Sequence, residues 1–248
     1  MSSPALCQDK AEKLVPGLYR IGGVAAFGLI AYCLATILQM TLLGGQPATA
    51  AEAFALLDAN RIVGLLRLDL LAVLALPLYY PLFLALSTAL WRVDGVKAVL
   101  SGLFVFAGVT LVLATPMALS MVPLSSKYAA ATTEAARSRF LAAGEAILAT
   151  DMWHGTGALL GGLLVQTGAV LICIAMLRGS VFSKLTGWLG LVMHGLDLVH
   201  VVFSPFLPAA GAILLAIAGP LYPVWFFLVG RRLLQMARSP LRTLELPS

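Results

Sequence analysis

Six stretches of this chain are apolar for long enough to cross a lipid bilayer, and that fixes the kind of molecule it can form. A hydrocarbon core about 30 Å thick takes about 20 apolar residues of helix. The runs are Tyr19–Leu43, Ile62–Leu90, Ala98–Val122, Met152–Leu177, Thr186–Phe206 and Ala212–Leu234. Inside lipid every backbone N–H and C=O must find its partner within the protein, so such runs are helices. The predicted fold is all-α: a polytopic transmembrane bundle of six helices forming one domain, 1–248. Hydrophobic residues make up 60% of the chain and charged residues 11%, with a mean hydropathy of +0.97, which excludes an ordinary soluble domain. The net charge of +5 does not indicate nucleic acid, because the basic residues sit in short loops between the apolar runs.

Those loops predict the orientation. With both termini cytoplasmic, Lys10, Lys13, Arg20, Arg92, Lys97, Arg178, Lys184, Arg231, Arg232, Arg238 and Arg242 lie inside, eleven of the sixteen basic residues. Arg61, Lys127, Arg137 and Arg139 lie outside, and Arg67 falls within a span. The first run is longer than a signal-peptide core and reads as a retained span. Two longer outer connections, Gln46–Asn60 and Ser125–Thr150, have helical composition and an apolar stripe. They predict two short amphipathic helices on the extracytoplasmic side, the second capped by Thr132 or Thr133. They lie at the interface or serve as lids.

Ionisable residues within or beside membrane spans are costly and tend to mark function. Here they are Arg67, Asp69, Glu145, Asp151, His154, His194, Asp197 and His200, including all three histidines. Helical rise places them in the outer half of the bundle, with His200, Asp197 and His194 about 8, 12 and 17 Å below the outer end of their span. His194, Asp197 and His200 follow one another at i, i+3 and i+6, so Asp197 is placed to accept a hydrogen bond from either imidazole. An offset of 84 residues aligns Arg67 with Asp151 and suggests that the two pair across a weak internal repeat. One at a time these residues read as interhelical glue; together they read as a site.

Other features are weaker. Cys7, Cys33 and Cys173 form no CxxC pair and read as packing. The glycine pairs suit close helix contact and are not phosphate loops. Pro116, Pro205, Pro220 and Pro223 are kink or end points, and a break around Ala218–Trp225 would offer Tyr222 to a cavity.

The layout resembles an uncharacterised family of bacterial multi-pass membrane proteins, a domain of unknown function. The resemblance lies in YRIGGVAAFGLIAY, KYAAAT with RFLAAGEAIL, MLRGSVFSKLTGWLGL and VWFFLVGRRLL, and spans most of the chain. It implies a six- or seven-span bundle in a bacterial inner membrane, with no assigned activity. The chemistry alone is also similar to that of seven-span membrane hydrolases that hold zinc with three histidines. This chain lacks their His-x-x-x-His spacing, so no site residue is carried over.

The reading is an integral protein of the cell membrane with an outward-facing intramembrane site for a small or amphiphilic ligand. Arg67, Asp69 and Tyr222 are the candidate ligand-binding residues. A divalent metal such as zinc is a candidate cofactor, with His154, His194, Asp197 and His200 as its ligands. As an enzyme the protein would be a metal-dependent membrane hydrolase using Asp151 or Glu145 as general base. The alternatives are a proton-coupled transporter, a haem protein ligated by His154 and His200, and a structural protein with an internal polar network.

Overall fold

The structure, a computed structural model, describes residues 4–115 and 117–238, with side chains from residue 14 onward. Pro116 and Arg242 lie outside the described residues, as do the side chains of Cys7, Lys10 and Lys13. The described residues form helices and no strands. In chain order they are α1 (Pro4–Leu42), α2 (Ala50–Ala59), α3 (Arg61–Arg67), α4 (Leu70–Ala75), α5 (Tyr79–Leu113), α6 (Met117–Ala130), α7 (Glu134–Ala149), α8 (Gly155–Arg178), α9 (Lys184–Phe203), α10 (Pro208–Ala218) and α11 (Leu221–Arg238).

Five helical segments among the described residues are long and apolar enough to cross a membrane, where the sequence predicts six. They are Leu14–Leu42, Leu70–Ala130, Gly155–Arg178, Lys184–Phe203 and Pro208–Arg238. The second and third expected runs fall together in Leu70–Ala130, because helical structure continues past the charged corner at Asp94. The backbone there leaves helical geometry, with φ −155° and ψ 82°. Asp94 draws in Lys97 at 2.8 Å and Arg178 at 2.7 Å.

Two expected spans are interrupted. The run from Ile62 breaks at Asp69, which adopts a left-handed conformation (φ 93°), and again at a 3-10 turn over Leu76–Leu78. The run from Ala212 breaks at Gly219 and Pro220, between α10 and α11. Proline removes a backbone donor and crowds the preceding turn, which accounts for the second break.

Contacts sort the chain into two compact units: residues 1–30, 78–106 and 165–248 form unit 1, and residues 31–77 and 107–164 form unit 2. Unit 1 buries Leu82, Phe83, Leu86, Leu90, Trp225 and Phe226. In it α1 and α11 approach closely: a Cβ on Gly23 would lie 3.1 Å from the Gly230 carbonyl, so a side chain there would push the helices apart. The residue pairing is antiparallel, with Ala26 beside Gly230 and Phe27 beside Phe227. Unit 2 is built on α2, which buries Ala50, Ala53, Phe54 and Leu57 against Leu68, Met117 and Met121. Their i, i+3, i+4, i+7 spacing is one helical face. Thr49 caps α2 and Thr133 caps α7, each accepting a backbone N–H three residues on.

Polarity is distributed opposite to that of a soluble protein. Leu42, Ile62, Val96 and Leu185 are each about 70% exposed, whereas Asp151, Gln166, His194 and Asp197 are buried. Exposed apolar surface on this scale marks a membrane or protein interaction surface.

Candidate functional site

Segments of three helices within unit 1 carry a buried group of polar side chains. α8 contributes Gln166, α9 contributes His194 and Asp197, and α11 contributes Tyr222 and Trp225. Ser183 caps α9 through the N–H of Thr186 and so fixes where that helix starts. The break at Gly219 and Pro220 restarts the chain as α11, which puts Tyr222 in the first turn. Gly190 lets the α9 backbone meet the Trp225 indole, since a Cβ there would collide with Trp225 Nε1 and Cys173 Sγ.

The hydrogen bonds determine one another. Asp197 Oδ2 accepts from Gln166 Nε2 (2.6 Å) and from the Tyr222 hydroxyl. The Gln166 amide turns its NH2 group toward Asp197 and its carbonyl toward His194. Gln166 Nε2 also donates to the Tyr222 oxygen at 3.1 Å. His194 Nδ1 lies 2.7 Å from Gln166 Oε1 and must therefore be the donor. The neutral imidazole then has its lone pair on Nε2. That atom is buried and has no hydrogen-bond partner, and the same holds for Trp225 Nε1. His194 is 0% exposed and meets Trp225 edge-on, with ring centroids 5.0 Å apart.

His200 lies two turns further along α9 and stands apart from this network, with Nδ1 2.9 Å from the Gly211 carbonyl of α10. The expected bond between Asp197 and an imidazole is replaced by the Gln166 amide, which stands between Asp197 and His194.

The remaining candidates belong to unit 2. Asp151 is almost fully buried. Its Oδ1 accepts from the backbone N–H groups of Trp153 and His154 and meets His154 Nδ1 at 2.9 Å, while its Oδ2 accepts from Gln46 Nε2 at 2.8 Å. Glu145 Oε1 accepts from the backbone N–H of Ala50, at the start of α2. Asp69 accepts from the backbone N–H groups of Met117 and Ala118, at the start of α6. Carboxylates favour helix N-termini because four N–H groups there lack intrahelical partners. Arg67 donates to the Gly45 carbonyl and pairs with Glu52 at 3.0 Å, where the sequence offset suggests Asp151.

All three histidines thus hold Nδ1 against an oxygen and present Nε2, the arrangement that orients an imidazole for ligation. Among the described residues, however, no three His, Cys, Asp or Glu side chains gather into a group able to hold a metal ion. His154, expected to share such a group with His194, Asp197 and His200, belongs to unit 2 while the other three belong to unit 1.

Comparisons of the chain with protein-family models, with curated proteins and with solved structures find no match.

The structure therefore joins His194, Asp197 and Tyr222, and adds two residues that the sequence does not single out. Gln166 was visible as a lone amide in an apolar run. Trp225 gives no such signal, because one N–H on a large apolar ring does not stand out from its neighbours.

Proposed function

We propose that this is a multi-pass integral membrane protein that binds a small amphiphilic molecule within unit 1, at His194 Nε2 and Trp225 Nε1. One observation carries the reading: a fully buried imidazole is locked by Gln166 so that its lone pair has no protein partner. A buried polar atom left unpaired costs about 1–3 kcal/mol, and such an atom calls for an explanation. The two atoms offer one acceptor and one donor, which suit a ligand that carries both an O–H or N–H and an acceptor oxygen. The largely apolar sequences of α9 and α11 suit its hydrocarbon part.

The Gln166 amide favours binding over a proton relay. It stands between His194 and the Asp197–Tyr222 pair, and a carboxamide orients its neighbours without readily passing protons along. In this reading Asp151 braces the turn before α8 and Glu145 caps α2, and neither is a general base, since their oxygens already hold backbone N–H groups.

In the membrane the chain crosses six times, with Leu70–Ala130 accounting for two crossings. Its 61 residues would reach about 90 Å as one helix, three times the hydrocarbon thickness. The non-helical Asp94, with its basic partners, is the corner between them. The antiparallel pairing of α1 with α11 supports an even number of crossings, with both termini on the cytoplasmic side.

The test is extraction of purified protein into organic solvent, followed by mass spectrometry. Wild-type protein should release a near-stoichiometric small molecule, and His194→Leu protein of equal helicity should release less than a tenth as much. Equal yields from the two would contradict the reading. A Soret band in the wild type alone would redirect it to haem.

A further inference from the structure

The surface of unit 1 carries a second candidate site, a groove between α1 and α11 with a volume of about 250 Å³. It is lined by Phe27, Phe227, Arg231, Leu234, Gln235 and Arg238. On α11, Phe227, Arg231, Leu234, Gln235 and Arg238 follow a 4, 3, 1, 3 spacing, which is one face of the helix. The groove therefore has direction. Its deep end is aromatic, where Phe27 meets Phe227 edge-on at 6.0 Å, and its other end is the last two turns of α11 with two exposed guanidiniums. Helical rise puts Phe227 and Arg238 about 16 Å apart along the axis. The same two helices approach closely at Gly23 and Gly230.

The charge in the groove is of one sign. α11 contains no Asp or Glu, and among the described residues neither Arg231 nor Arg238 has an acidic partner. Arg232, between them in sequence, is different: its Nε is taken by the Val181 carbonyl. A guanidinium presents a planar fork of donors that matches a phosphate, and arginines at the end of a span hold their charge at the interface while their stems lie along apolar surface. We infer that this groove binds an anionic phospholipid, with the acyl chain along Phe27 and Phe227 and the headgroup phosphate held by Arg231 and Arg238. The matching direction, apolar at depth and cationic at the helix end, selects a lipid over a free anion.

The experiment is native mass spectrometry of the full chain in detergent micelles doped with phosphatidylglycerol or with phosphatidylcholine of the same acyl chains. Wild-type protein should retain phosphatidylglycerol preferentially. Arg231→Gln/Arg238→Gln should lower that retention about 30-fold, from about fivefold per basic residue at the surface. Arg232→Gln should change it less than threefold, and Phe27→Ala/Phe227→Ala should lower retention of both lipids. If Arg232→Gln weakens retention as much as the double variant, the effect is diffuse surface charge and the inference fails. It also fails if millimolar inorganic phosphate displaces the lipid, since the site would then read a free anion. Helicity and a monodisperse elution profile certify each variant. Should the glutamine variant not fold, Arg231→Lys/Arg238→Lys decides: it should keep the anionic preference at reduced strength, and an unchanged strength contradicts phosphate recognition by the guanidinium forks.

Discussion

Gln166 presents the carbonyl of its amide to His194 of α9 and the NH2 group to both Asp197 of α9 and Tyr222 of α11. Interhelical hydrogen bonds within a bilayer average about 0.6 kcal/mol and reach about 1.7. Loss of three should therefore cost about 2 kcal/mol. Gln166→Leu should lower unfolding stability in detergent by that amount, and adding Asp197→Leu should cost less than the sum of the single changes, because the carboxylate stranded by the first is removed by the second. Full additivity would mean that the two side chains do not interact. His194, Asp197 and Tyr222 could be picked out in the sequence because polarity inside an apolar run is conspicuous. The partner of each could not, since helical periodicity fixes which face a residue occupies and says nothing of which neighbouring helix supplies the hydrogen bond.

At the scale of helices, the capping side chains of unit 2 divide into local and distant ones. Thr133 caps α7 three residues away, and the sequence could place it because capping of that kind follows chain spacing. Glu145 caps α2 from a position 95 residues later, and Asp69 reaches the start of α6 from 48 residues earlier; no spacing rule finds either. Asp69 also sits at φ 93°, a conformation that costs a non-glycine residue on the order of 1–3 kcal/mol and that its two backbone bonds help to hold. Caps of this kind contribute about 1 kcal/mol each, and a buried carboxylate serving several donors contributes more. Glu145→Ala should thus lower thermal stability by about 1 kcal/mol and Asp151→Ala by about 2–3 kcal/mol, with the amount of co-purifying small molecule per folded protein unchanged. A loss of bound molecule at full stability would return these residues to the binding chemistry.

For the whole molecule, the apolar runs made the membrane character legible, and the charged loops suggested the direction of crossing. Counting crossings was harder, because helical hydrogen bonding continues around the Asp94 corner and merges two expected spans into Leu70–Ala130. The sequence reading has all the ionisable residues converge on one site, and the structure divides them between the two units. Depth estimates place groups along a span, but they do not sort them between unit 1 and unit 2. Six crossings place both ends of the chain on the same side. Reporter domains fused to the N- and the C-terminus should both be active only as cytoplasmic fusions, and opposite results at the two ends would reduce the count to an odd number.

The most direct measurement is the nitrogen-15 spectrum of His194 in nanodiscs, recorded on a His154→Gln/His200→Gln protein in which it is the sole histidine. Solvent-stripped protein should show a neutral ring with its proton on Nδ1 and a bare Nε2, and reloading the extracted molecule should shift the Nε2 resonance. A proton on Nε2, or an Nε2 resonance indifferent to reloading, would contradict the account.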